Sequence, residues 1–321
     1  MSRSLLWKLL APAFVLGLSM VAPAASSAPR APEPKAELGF IPLDADITLR
    51  RMVVRSAKPK GTVILLHGFP ETLYAYKGIS LELAKDYDVH AFDWPGYGQS
   101  SRPAPDRFSY APNAYARVLQ QYIDKAGIDT SRLTIYATDI GALPAMLLAL
   151  DQPGIARSLI VGDFAPFDRP PYMHENLQAL KSKASAAAVN AAMNKNRDEI
   201  LENAYRRGFA KEEQFDLSPE LKRDMREGWD HGGMSSADAF HHYYAHFTQD
   251  QVYFEAHLAR WRTPVKVVWG EKDFYIKTDM GAELADKLGV KMITLPGLGH
   301  YPHLQDPQKT VAEIRASLAG G

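Results

Sequence analysis

The chain has no cysteine. That excludes a disulfide framework, a thiol nucleophile, a cysteine-ligated metal and a lipid-attachment cysteine, and it suits work in an oxidising compartment. An excess of charge of either sign is also lacking. Lys+Arg and Asp+Glu number 37 each in 321 residues, with no run of like charges, so no nucleic-acid partner is expected. Beyond the first 28 residues there is no G-x-S-x-G, the serine elbow of esterases and lipases. The one N-terminal apolar stretch, residues 9–21, is broken by Pro12 and is too short to span a bilayer.

That stretch follows Arg3 and Lys8 and precedes Ala22-Pro23-Ala24 and Ser26-Ser27-Ala28, small residues at cleavage spacing. Residues 1–28 therefore read as a cleaved signal peptide, which implies a secreted or periplasmic protein with no stable membrane insertion after its removal. An uncleaved anchor is the alternative. The proline-containing residues 29–45 read as a leader into the first strand.

From residue 47 onward, short apolar runs recur at 47–54, 62–66, 89–92, 133–137, 159–161, 265–269 and 292–295. Helical patterns at 113–126 and 142–150 separate several of them. Alternation of this kind predicts a mostly parallel, doubly wound α/β sheet covered on both faces. It stops between 164 and 260, where 176–207 is helical by composition and Ser218-Pro219 opens a further helix by a cap-plus-proline signal. The expected organisation is a core over 29–163 and 261–321, with an inserted helical cap at 164–260.

Chemistry-bearing residues fall at the carboxyl ends of these strands, where open α/β sheets bind ligands. The strand at 133 runs into Ala137-Thr138-Asp139-Ile140-Gly141 and then a helix. Small residues flanking a central polar one match a nucleophile elbow. An Asp is also a favoured helix N-cap, and on this stretch alone the two readings stand level. After the strand at 62–66 comes His67-Gly68-Phe69-Pro70. A loop in that place supplies one oxyanion-hole amide and the residue after the nucleophile supplies the other, here Phe69 and Ile140. His67 itself reads as structural before catalytic. Asp273 then ends the strand at 265, and His300 sits in a Gly-rich loop after the last strand. Nucleophile, acid and histidine come in the chain order of this architecture, and the joint occurrence favours a nucleophilic Asp139. His303 lacks the glycine approach of His300. His242 and His246 lie i, i+4 on a helix but have neither the Glu of H-E-x-x-H nor a third ligand. No metal and no cofactor are expected.

On these motifs the sequence resembles the α/β-hydrolase superfamily. It is similar to the epoxide hydrolase and dehalogenase branch, which shares an Asp nucleophile, and to secreted bacterial epoxide hydrolases related to the cystic fibrosis channel inhibitory factor. Residues 67–76 resemble the HGxP stretch of epoxide hydrolases, and 93–103 the D-x-x-G-x-G-x-S segment of the superfamily. The resemblance implies a lid tyrosine that protonates the departing alkoxide. Phe240-His-His-Tyr-Tyr244 places Tyr244 in that role, with Tyr243 as the lesser choice, and Tyr172 and His174 as candidates for a second donor. Some members take the triad acid from the strand before the lid, where Asp163 stands; Asp273 is preferred. Thr138 occupies a position that epoxide hydrolases normally fill with His. Ile140 replaces the Trp of haloalkane dehalogenases, and neither Ile140 nor Leu143 supplies the Arg of fluoroacetate dehalogenases.

The expected reaction is hydrolysis of a small-molecule epoxide through an ester on Asp139. The rival readings are a dehalogenase using the same nucleophile and a non-catalytic secreted effector on a hydrolase scaffold.

Overall fold

A computed structural model describes residues 33–319, so the expected signal segment lies outside the described residues. Eight strands form one sheet: β1 (Ala36–Pro42), β2 (Thr48–Val54), β3 (Thr62–Leu66), β4 (Asp88–Phe92), β5 (Leu133–Thr138), β6 (Ser158–Gly162), β7 (Val265–Gly270) and β8 (Met292–Leu295). Their spatial order is β1-β2-β4-β3-β5-β6-β7-β8. The pairs β1–β2 and β2–β4 are antiparallel and every later pair is parallel. Parallel strands need crossovers, and the crossover helices cover both faces. For this reason the central strands read as unbroken apolar runs: Val63, Ile64, Leu65 and Leu66 are all fully buried.

Strand β1 corrects the reading of 29–45 as leader. It is an edge strand paired only with β2, so Pro42 at its end breaks no interior ladder. Its Leu38 and Phe40 face solvent, and Glu37 and Gly39 interrupt it, so it lacks the unbroken apolar run that marks the buried strands.

Eleven α-helices are seen among the described residues: α1 (Lys77–Leu83), α2 (Pro112–Lys125), α3 (Ala142–Asp151), α4 (Glu175–Lys181), α5 (Ala186–Lys195), α6 (Arg197–Asn203), α7 (Pro219–Gly228), α8 (Ser236–His257), α9 (Thr278–Leu288), α10 (Pro302–Gln305) and α11 (Pro307–Ala319). Helix α3 is apolar all round, and every residue from Ala142 to Leu150 is buried. Helices α4 to α8 all lie between β6 and β7. The stretch 176–207 is three short helices rather than one. Helix α7 begins as its sequence predicts, with the Ser218 hydroxyl accepting from the Leu221 amide at 3.2 Å and Pro219 in the first turn.

One buried network ties this helical segment to the sheet. Arg50 of β2 donates to Asp93 at 2.5 Å and, through both terminal nitrogens, to Asp224 of α7 at 2.7 and 2.6 Å. The Thr72 hydroxyl adds a bond to Asp224 at 2.6 Å. Among the described residues no helix is long and apolar enough to cross a membrane.

Candidate active site

The turn from β5 into α3 forces Asp139 into the left-handed region, with φ of 49°. A non-glycine residue there is strained, and the strain lifts the side chain above the sheet edge. The flanking residues are small because space is short: a Cβ on Gly141 would lie 3.0 Å from the Leu66 Cβ. Asp139 does not cap α3. Its Oδ1 accepts from the Phe69 amide at 2.6 Å, and its Oδ2 meets His300 Nε2 at 3.1 Å. On these contacts the carboxylate is turned to the loop after β3 and to His300, away from the helix.

His300 Nδ1 in turn meets Asp273 Oδ2 at 2.9 Å. The other oxygen of Asp273 accepts from the amides of Tyr275 and Ile276, at 2.8 and 3.0 Å. Exposure grades along this line, from 16% for the Asp139 side chain to 4% for His300 and none for Asp273. Burial alone would lower the pKa of His300, but the charge of Asp273 and hydrogen bonds to both carboxylates outweigh it and hold it well above the ordinary histidine value. An imidazolium between two carboxylates is thus the favoured resting form.

Ile140, expected to give the second oxyanion donor, lies in the single 3-10 turn Asp139–Gly141 that leads into α3. Amides at such an entry have no intrahelical partner.

Three lesser candidates have contacts of another kind, in line with their lower place in the sequence reading. Asp163 is not the acid that touches His300. It is fully buried, also left-handed with φ of 51°, and its Oδ1 accepts from the Gly270 amide at 2.8 Å. Burial first, and then the charge of Asp273, push its carboxyl well above the usual range. His67 is no base. Its Nδ1 contacts the Gly68 carbonyl at 2.7 Å, and its Nε2 accepts from the Trp94 amide at 3.2 Å, so both ring nitrogens serve the backbone. Tyr243 donates its hydroxyl to the Ile140 carbonyl at 3.2 Å, so its role is to hold α8 against the elbow. The neighbour Tyr244 is buried, packs on Phe240 with ring centroids 4.7 Å apart, and has no such bond to the backbone. Burial, then the charge of Asp139, raise its phenol well above the ordinary value.

A cavity of about 240 Å³ opens beside Asp139 and His300. Phe69, Phe240, Leu180, Met193, Ile200 and Tyr301 supply apolar wall, while His174, Asn176, Glu199 and Arg207 add polar groups. Phe240 and Phe69 stack at 4.3 Å, and Phe240 lines the cavity with Tyr244 packed against it. His174 does line it, whereas Tyr172 does not. The Nδ1 of His174 accepts from the Asn176 amide at 3.2 Å as the cap of α4, which leaves the proton on Nε2. Thr138 is buried beneath the elbow with its hydroxyl 3.5 Å from that of Tyr76. His242 stacks on Tyr110 at 5.9 Å. No group of three or more His, Asp or Glu able to hold a metal is found among the described residues.

Sequence reasoning missed Tyr301, whose hydroxyl donates to the Phe69 carbonyl at 2.9 Å. It also missed a fully buried contact of 2.6 Å between Glu71 and His303. The Glu directly after HGFP was the available signal.

Strand order, parallel crossovers and the order of the three contacting residues along the chain are those of an α/β hydrolase. A family model described as "Alpha/beta hydrolase family" matches residues 63–314, and the chain belongs to that family. It is 34% identical to a fluoroacetate dehalogenase of Burkholderia sp over 123 residues, 38% of this chain and 39% of that one. It is 32% identical to mouse (Mus musculus) epoxide hydrolase 4 over 112 residues, 35% of this chain and 30% of that one. The matches thus span well under half the length of either relative. Among solved structures it is similar to haloalkane dehalogenase DbeA from Bradyrhizobium elkani USDA94. That match has a TM-score of 0.72 and 23% identity, over 89% of this chain and 98% of that one.

Proposed function

We propose that this hydrolase adds water to an epoxide through an alkyl ester on Asp139, giving a vicinal diol. The observation that carries the reading is the position of the Asp139 carboxylate, one oxygen on the Phe69 amide and the other on His300. A carboxylate needs no deprotonation to attack carbon near neutral pH, and the amide leaves Oδ2 as the attacking atom.

In the first half-reaction Oδ2 bonds to an epoxide carbon, the carbon–oxygen bond of the ring breaks, and the departing oxygen takes a proton. Tyr244 and His174 are the assigned donors. The raised phenol keeps its proton at neutral pH, and the capped imidazole carries its proton on Nε2. Esterification removes the charge of Asp139, one of the influences that raise His300, so its pKa falls, its proton passes to the phenolate left on Tyr244, and the neutral imidazole becomes competent as a base. It takes a proton from water, the resulting hydroxide adds to Cγ, and the oxyanion forms on Oδ1, where Phe69 and Ile140 amides stabilise it. Collapse breaks the bond from Cγ to the alkyl oxygen, which takes the proton from His300 and leaves as the diol; the Asp139 acid then returns its proton to His300, which restores the carboxylate. Asp273 orients the imidazole and stabilises its charged form.

Single turnover in H₂¹⁸O tests this. The label is expected in the Asp139 peptide and not in the first equivalent of diol; label in the product alone would overturn the ester.

Dehalogenation is the second reading, favoured by the likeness to the fluoroacetate dehalogenase. Against it, Ile140 and Leu143 are apolar and buried and offer nothing to a halide or a substrate carboxylate. Secreted or periplasmic placement and a cap formed by 164–260 belong to the same proposal; cell fractionation checks the first.

A further inference from the structure

One buried pair outside the triad is unexplained by the chemistry above. Glu71 and His303 are each 1% exposed, with Oε1 and Nε2 2.6 Å apart. A carboxylate only accepts, so the proton of this contact sits on His303 Nε2. Glu71 spends its other oxygen on the Gly68 amide at 2.9 Å. The His303 ring stacks on Tyr76, with centroids 4.8 Å apart. A charged group this deep in a protein is costly unless it is paired and hydrogen-bonded, and this pair encloses the loop that carries the Phe69 amide.

His300, Tyr301 and His303 belong to one turn of chain after β8. Two of them grip the loop from Gly68 to Glu71: His303 through Glu71 and the Gly68 amide, and Tyr301 through the Phe69 carbonyl at 2.9 Å. The turn that carries the base thus also sets where the oxyanion donor lies, and that donor sits 2.6 Å from Asp139 Oδ1.

We propose that Glu71 and His303 are positioning residues that hold the Phe69 amide on Asp139 Oδ1, and that they govern hydrolysis of the ester rather than its formation. The proposal rests on Asp139 as nucleophile, for epoxide or halide alike, since both leave the same ester. The reason is the timing of charge. Formation of the ester removes negative charge from the carboxylate, so a displaced amide does not slow it. Attack of water develops a full charge on Oδ1, and there the donor is needed.

The test uses the full-length enzyme with styrene oxide and, as a second electrophile, 1-bromobutane. Ester formation and decay are followed by rapid quench and intact mass. In His303→Leu, decay is expected to slow about 10-fold or more with formation unchanged, so that ester accumulates at steady state. His303→Gln, which retains an N–H for Glu71, is expected to restore decay. Should His303→Leu fail to fold by circular dichroism, His303→Asn, too short to reach Glu71, takes its place. Decay at the wild-type rate, or equal slowing of both steps, would overturn the proposal. His300→Ala run alongside separates the two ideas: no adduct there from either electrophile means that the nucleophile assignment has failed, whereas a stable adduct there with normal decay in the His303 variants means that only the positioning role has.

Discussion

Gly68→Ala probes the site through space alone. A Cβ at residue 68 would lie 2.6 Å from the Asp139 Cβ, 2.8 Å from its Oδ1 and 3.1 Å from its Cγ. Carbon–carbon contacts settle near 3.5–4.0 Å, so something must yield by about 1 Å. The loop is pinned by Glu71, His303 and Tyr301, and Asp139 sits on a strained elbow already fixed by its own φ of 49°. Rotation of the carboxylate leaves the Cβ of Asp139 where it is, so loop and elbow must part, which stretches the 2.6 Å contact of Asp139 to the Phe69 amide and its 3.1 Å contact to His300. A displacement of about 1 Å in a reacting group costs on the order of 100-fold in rate, and overpacking costs about 1–3 kcal/mol of stability. The assay is kcat/KM on an epoxide, with thermal unfolding as the control. A variant that folds and turns over within about three-fold of wild type, well short of that loss, would refute the claim that this carboxylate does the chemistry.

Tyr244→Phe is expected to lower epoxide turnover by about 100-fold or more, as loss of a general acid does, while sparing release of halide, which needs no proton. Equal loss on both substrates would point to packing against Phe240 instead. Decay of the ester should rise with pH and then level off, because water attack needs neutral His300; the midpoint should fall below the pKa of His300 in the free enzyme, where Asp139 is still charged. A decay rate that falls as pH rises would contradict this. Because folding raises the pKa of His300, its pairing stabilises the fold fully below about pH 6.5, and the gain is lost as pH climbs through the folded value. His300→Gln should therefore flatten that part of the stability profile in urea titrations. Arg50→Met leaves Asp93 and Asp224 buried without their partner and should cost about 3–5 kcal/mol, read from urea unfolding; a loss below about 1 kcal/mol, the scale of exposed pairs, would show the network to be incidental.

Much of the sheet was legible because parallel strands covered on both faces must be apolar throughout. The runs at 62–66 and 133–137 coincide with β3 and nearly all of β5. Strand β1 was not legible, since its exposed edge removes that constraint. The elbow, Phe69, Asp273 and His300 could be located because tight turns and strand ends leave local marks. What escaped depends on phase and distance. Tyr243 and Tyr244 are neighbours on α8, and only the helix's rotation decides which hydroxyl meets the Ile140 carbonyl. Asp163 and Asp273 both end strands, and only the geometry beyond them shows which oxygen faces His300. Glu71 and His303 are 232 positions apart, and nothing local announces a pair made by the fold.

The nucleophilic carboxylate is tested most directly by removing the base. His300→Ala protein incubated with an epoxide should accumulate one alkyl adduct, visible in the intact mass and confined after digestion to the peptide containing Asp139. Turnover at the wild-type rate with no adduct, or an adduct on another peptide, would contradict the account.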